Sequence, residues 1–382
     1  PVEDATLRLL SHGLEIVSRV RMRAFFALAE GEAAAEEGTV PIFVYNPHPY
    51  PVKTIVACEF MLPESSAGRY AEIVVRRGGE RVPAQTEKEL SSLYVEWRKR
   101  VVFEAELQPA SLNRFDCAVE WKDARPAPAA REAGGALVFR NDRMEFVINA
   151  TTGRVDRWRV DGVDIVRPDA FRAIVLDDFD DAWGSSARRF DKEEGEFKLL
   201  SKAAAMRRSG LAGKPLPSVR VIEDGEVRTV VEALFGYKRS TLVMRYFVPK
   251  RGAEVEVELT VNWNEPRKML KLAVPAAFGA DAAFLGQTAF GTARLRTDGE
   301  EVCAQKWVAL TDGRTALTAI NDGTYGFDCR GGELRLSLLR SPAYSALPGG
   351  GKKVTVPKDR ASDRMDLGER RFRFWFSAGG AR

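Results

Sequence analysis

The sequence predicts an all-β chain that opens on a single helix: an N-terminal helix, a small β-sandwich, then a large antiparallel β-sandwich. Three observations predict this. A helical period is clear only at the start, alternation at period two replaces it from Val40 onward, and turn residues recur between the apolar runs, with 32 Gly and 19 Pro in 382 residues. Many strands with no helical segment between them argue against a βαβ design. The apolar share of 45% and the charged share of 29% are those of a folded globular chain.

The helix is expected over residues 4–30. Leu7, Leu10, Leu14, Val17, Ala24 and Leu28 recur at steps of three and four and line one face. Asp4 is the expected N-cap and Gly31 the expected stop. Val20, Met22, Phe25 and Phe26 widen the apolar surface. Such a helix is expected to pack on the sheets of this chain or on another molecule. Residues 31–38 form an Ala/Glu/Gly linker, so the first segment is 1–38.

The small sandwich is expected over 39–124, with strands at Pro41–Tyr45, Lys53–Met61, Tyr70–Arg76, Ser91–Val101 and Asn113–Trp121. A Pro/Ala/Gly-rich linker at 122–135 leads into the third segment, 125–382. There Val255, Val257, Leu259, Val261 and Trp263 alternate with Glu254, Glu256, Glu258, Thr260 and Asn262. That is a strand with one buried face. Leu334, Leu336 and Leu338 alternate with Glu333, Arg335 and Ser337, and Phe372, Phe374 and Phe376 with Arg371, Arg373 and Trp375. Further strands are expected at Ala136–Asn149, Arg154–Val160, Val219–Glu223, Val227–Phe235, Thr241–Pro249, Met269–Val274 and Ala316–Asn321.

Charge and composition exclude several function classes. There are 58 Lys+Arg against 54 Asp+Glu, a formal net charge of +4, and the two signs are interleaved, so no basic stripe suits nucleic acid. No apolar run reaches the roughly 20 residues a spanning helix needs, so no membrane partner is expected. Cys58, Cys117, Cys303 and Cys329 are far apart and form no CxxC pair, which fits reduced thiols in a cytoplasmic protein. His12 and His48 are the only histidines, too few for a zinc site or a Ser-His-Asp centre built by this chain alone. His12 reads as a partly exposed helical residue, and His48 as surface punctuation in a proline-rich strand exit. No phosphate loop, G-x-S-x-G or HExxH occurs.

Three stretches carry candidate chemistry. Leu176–Ser186 (LDDFDDAWGSS) sets Asp177, Asp178, Asp180 and Asp181 around Phe179 and Trp183. Carboxylates accept hydrogen bonds from vicinal hydroxyls and an indole stacks on a sugar face. A solvated acidic loop anchored by Trp183 has the same composition. Arg340 ends the 333–340 alternation just before Ser341-Pro342, so it should project near a sheet rim. There it could donate bidentately to hydroxyls or carboxylates, or form a surface ion pair. Trp263, in Val261-Asn262-Trp263-Asn264-Glu265, is in phase with the buried face and reads as core.

In order along the chain, IFVYNPHPYPV (42–52), MEFVINATTGRVDRW (144–158), DDFDDAWG (177–184), VNWNEPRKMLKLAVP (261–275), INDGTYGFD (320–328), LRLSLLRSP (334–342) and MDLGERRFRFWF (365–376) resemble the C-terminal half of glycoside hydrolase family 38 α-mannosidases. The resemblance implies that the initial helix closes a helical bundle and that 125–382 is a β-supersandwich of the galactose-mutarotase-like kind. It implies a retaining, zinc-dependent hydrolase of mannose-containing oligosaccharides. Its zinc ligands and aspartate nucleophile would lie in a preceding barrel, a partner domain absent from this chain; no metal ligand is assigned here. By the same resemblance Arg340, Asp178, Asp181 and Trp183 are the expected substrate-binding residues, while Asp180 and Gly184 depart from the pattern of bacterial members. The start at Pro1 is what an excised portion would show, and this chain alone should lack hydrolase activity. The alternatives are a carbohydrate-binding module and a mutarotase- or lyase-like enzyme on the same sandwich. Self-association is left open.

Overall fold

The computed structural model describes residues 2–62, 65, 68–91, 96–178, 188–210, 216–279, 281–343 and 359–380. Two compact units divide the chain: residues 1–127 with 225–227, and 128–224 with 228–382. Among the described residues every strand pairing is antiparallel. No helix among the described residues is long and apolar enough to cross a membrane.

The first unit opens with a helix, α1 (Val2–Ala29). It starts two residues before Asp4, which therefore lies inside the first turn and is not the cap. Its apolar stripe is in solvent, with Leu10 60% and Leu14 72% exposed. Packing of this helix on the sheets is thus not observed among the described residues. The rest of the unit is a sandwich. A four-stranded sheet runs in the order Thr39–Asn46, Ser111–Lys122, Tyr70–Arg77, Glu80–Val82, and a three-stranded sheet in the order Val52–Met61, Arg98–Leu107, Ala84–Glu87. Inward residues of the two sheets, Val75, Val101, Phe103, Phe115 and Cys117 among them, form one core. The Phe103 and Phe115 rings meet at 4.8 Å. The strand expected from Ser91 begins at Arg98.

Among the described residues the second unit holds three sheets. Four strands pair in the order Val163–Asp164, Val155–Val160, Met144–Asn149, Ala136–Arg140. The single strand expected over 136–149 is two, because Asn141 Oδ1 accepts the N–H groups of Arg143 and Met144 and turns the chain. Six strands pair in the order Glu193–Glu196, Arg172–Asp177, Lys268–Pro275, Glu333–Arg340, Gly326–Arg330, Val302–Cys303. A ten-stranded sheet is centred on Ser240–Pro249, Val255–Trp263, Gly368–Gly380 and Thr315–Asn321. All three contribute to one large core that includes Phe146, Trp158, Leu272, Leu336, Val257 and Phe374. The alternation of 255–263 is obeyed residue by residue, and Trp263 is fully buried.

A short helix, α2 (Lys202–Ser209), breaks the all-strand pattern; Ser201 caps it by accepting from the Ala204 N–H, and Gly210 ends it in the left-handed region at φ 65°. All four cysteines are free thiols. Burial pushes Cys58 and Cys329 up to about 11 and Cys117 up to about 12, so these three behave as apolar packing groups.

Candidate functional site: a rim of the six-stranded sheet

Register places three strand ends at one rim. Asp177 pairs with Lys268, and Met269 with Arg340. The strand Glu333–Arg340 reaches that rim with a change of phase. Lys271 pairs with Ser337 but Leu270 pairs with Leu339, so one residue is extra on the 333–340 side. Leu334, Leu336, Leu338 and Leu339 all point into the core. Without the extra residue strict alternation would send Arg340 inward with the even-numbered leucines. The bulge turns it to the outer face, which is a recognised use of bulges.

The next residue locks that geometry. Ser341 N–H donates to Lys268 O at 2.9 Å and Ser341 O accepts from Arg267 N–H at 2.9 Å. Its hydroxyl donates to Glu265 O at 2.5 Å and accepts from Trp263 Nε1 at 3.3 Å. Arg267 sits in the left-handed region, φ 58°, where the turn after Pro266 reverses the chain. Glu265, itself buried, accepts from Arg239 N–H and Ser240 Oγ, each at 2.9 Å. The Asn-Glu-Pro turn between the two strands is thus braced from both sides.

On the outer face Arg340 meets Asp178. Nη2 donates to Oδ1 at 2.7 Å and Nε to Oδ2 at 3.2 Å, a two-pronged charge-assisted contact. The Asp178 side chain is fully buried while that of Arg340 is 23% exposed. Asp178 N–H donates to Arg267 O at 3.1 Å, which pins the carboxylate to the same turn. Asp178 therefore stands behind Arg340, and Arg340 is the member of the pair with a surface toward solvent. Asp181 and Trp183 lie outside the described residues.

Beside this pair, Lys268 Nζ bridges Asp177 at 2.8 Å and Glu194 at 2.9 Å. Hydrogen bonds from Lys268 and Lys192 hold the Glu194 carboxyl down at about 2. Desolvation pulls the Lys268 ammonium down, but its bonds to Asp177 and Glu194 outweigh it and the net shift is upward. Nothing in the sequence singles out Lys268 or Glu194, because their contact follows from the pairing of strands far apart in the chain. Among the described residues no group of His, Cys, Asp and Glu lies close enough to hold a metal ion.

Comparison with known proteins places the chain in a family. The family model described as glycosyl hydrolases family 38 C-terminal domain matches residues 141–348. Alpha-mannosidase G of Dictyostelium discoideum is 27% identical over 232 residues, which are 55% of this chain and 20% of that protein. An alpha-mannosidase of Saccharomyces cerevisiae is 33% identical over 99 residues, 24% of this chain and 9% of that one. Among solved structures, an alpha-mannosidase from Enterococcus faecalis superposes with a TM-score of 0.62 at 12% identity, covering 90% of this chain and 44% of its own. A family 38 glycosyl hydrolase from the same organism gives 0.63 at 13% identity, with 90% and 45% covered. These two likenesses show the fold. The chain spans less than half the length of each of these relatives. With its matched stretch covering more than half of it, the chain belongs to glycosyl hydrolase family 38, in which it carries the C-terminal domain.

Proposed function

We propose that this chain is the C-terminal part of a retaining, zinc-dependent α-mannosidase and completes the rim of an active site built mainly by a preceding catalytic domain of the same protein. The substrate would be a mannose-containing oligosaccharide. The observation that carries the reading is Arg340, turned outward by a bulge, fixed by buried Asp178, and lying inside the stretch that matches the family. The names of the relatives support the substrate class.

On this reading residues 1–38 end a helical bundle, 39–124 form the small sandwich and 125–382 the supersandwich. The exposed stripe of α1 supports the first of these, since Leu10 and Leu14 need a neighbour to leave water. Zinc and nucleophile belong to the preceding domain; the described residues of this chain do not fit a metal. The reaction there would proceed by double displacement through a glycosyl-aspartate. What this chain supplies is binding: the guanidinium donates to sugar hydroxyls and holds the ring for attack. Asp181 and Trp183 are proposed as further sugar contacts and Asp178 as the residue that directs Arg340. The cytoplasm is the proposed compartment, in keeping with the free thiols.

Assay of the isolated chain on an aryl α-mannoside with added zinc tests the division of labour. No turnover is expected. Turnover that survives further purification would overturn the proposal, and tight mannose binding without any catalytic partner would favour a carbohydrate-binding module instead.

A further inference from the structure

The outer face of the six-stranded sheet holds a buried aromatic ring, Phe190. Phe190 is only 4% exposed and clusters with Ile174, Leu176, Met269 and Ala273. Two cations lie over this ring. The Arg340 guanidinium carbon is 4.9 Å from the centroid and Lys271 Nζ is 5.8 Å from it. Lys271 is wholly buried and is neutralised by Asp328 and Glu301. Asp328 also accepts from Arg335 Nε at 2.6 Å, and Glu301 from Ser337 Oγ at 2.8 Å. The Glu301 N–H donates to Arg188 O at 2.9 Å, two residues before Phe190. The ring is therefore seated from below by a closed ionic network and from the side by the backbone at 188.

Asp178 and Phe190 restrain Arg340 in different ways. Asp178 takes N–H groups in the plane of the guanidinium and sets its direction. The Phe190 ring lies under the guanidinium carbon, 4.9 Å from it, and limits its tilt. A ring that contacts a guanidinium through its π-face takes up none of its N–H donors, so Phe190 restrains Arg340 without using a hydrogen bond.

We infer that Phe190 is a positioning residue: its ring, seated on the Lys271–Asp328–Glu301 network, holds the Arg340 guanidinium in the one plane in which Asp178 directs it. The functional meaning rests on the reading of Arg340 as a sugar contact; the restraint itself does not.

The test uses the chain labelled with ¹⁵N-arginine, with the Arg340 Nε–Hε signal assigned by its loss in Arg340→Lys. Phe190→Leu keeps an apolar side chain but removes the π-face, and should speed exchange of the Arg340 ε-proton with water about tenfold, whereas Phe190→Trp should stay within about twofold of wild type. Core methyl signals of Val257 and Leu259 report that each variant is folded. Unchanged exchange in a folded Phe190→Leu would overturn the inference, as would equal loss of protection in the Leu and Trp variants, which would mark a packing role only. If Phe190→Leu does not fold, Phe190→Met is scored in the same way. Turnover by the Arg340→Lys enzyme tests the reading of the site and is scored separately from exchange, so the two failures are distinct.

Discussion

The two large sheets of the second unit both carry charges on their outer faces, and treat them differently. On the ten-stranded sheet, at Val255–Trp263 and its neighbours, Glu256 bonds Arg373 at 2.5 Å and Glu258 bonds Arg245 at 3.2 Å, with the two arginines 45% and 40% exposed. Farther out on the same sheet a buried acid, Glu232 with its side chain 8% exposed, takes Arg245 at 2.8 Å. On the six-stranded sheet Lys271 and Asp328 pair at 1% side-chain exposure each, and Asp178 has none. The same period-two alternation produces both faces. What differs is the cover: the segment carrying Phe190 lies over the second face and excludes water from it. An exposed ladder keeps its hydration and gains little from pairing. A covered one must satisfy each charge in place, so its partners are specific and their geometry is fixed. The rim arginine stands where the covered face meets solvent, which gives it both a rigid seat and access.

The sharpest way to break this contrast is to delete one carboxylate from each face. Asp328→Ala strands Arg335 and part of the charge on Lys271, and should cost about 3–5 kcal/mol of unfolding free energy. Glu256→Ala should cost no more than about 1 kcal/mol, because solvent screens its half-exposed partner. Urea unfolding of both variants checks the pair of values; similar losses would show that the cover over the six-stranded sheet has no electrostatic consequence.

A smaller effect sharpens the same contrast at the rim. Glu194 titrates at about 2 in the folded chain against its ordinary value of 4.5. A lowered folded value means that its contribution is fully present above pH 4.5 and is lost as pH falls toward 2. Wild type should therefore exceed Glu194→Gln in stability at neutral pH, and the gap should close over that window. A gap independent of pH would show that Glu194 acts through packing and not charge.

Much of this architecture is legible in the sequence. The alternations at 255–263 and 334–338 give strand, face and burial together, and Trp263 is buried as its phase requires. The outward turn of Arg340 is harder to see. The Leu338-Leu339 doublet marks the bulge, but a doublet also reads as plain alternation ending one residue early. Asp178 is conspicuous as an acid beside an aromatic, yet its burial depends on Arg340, 162 residues away. Phe190 sits in Arg188-Arg189-Phe190-Asp191-Lys192, where no period points to a buried ring. α2 is missed for a related reason: its capping residues lie at its ends, and its one buried side chain, Ala205, leaves no stripe. The stripe of α1 is plain in sequence, but periodicity gives a face and not its partner.

On the proposed function Arg340 acts on substrate from this rim. Replacement of Arg340 by Lys in the enzyme that carries this chain keeps a cation for Asp178 and removes the planar fork. Steady-state kinetics on an aryl α-mannoside should show kcat/KM lowered about tenfold to a hundredfold, the scale of a charge-assisted hydrogen bond, with the unfolding midpoint retained. Wild-type kcat/KM in the Arg340→Lys enzyme would contradict the account.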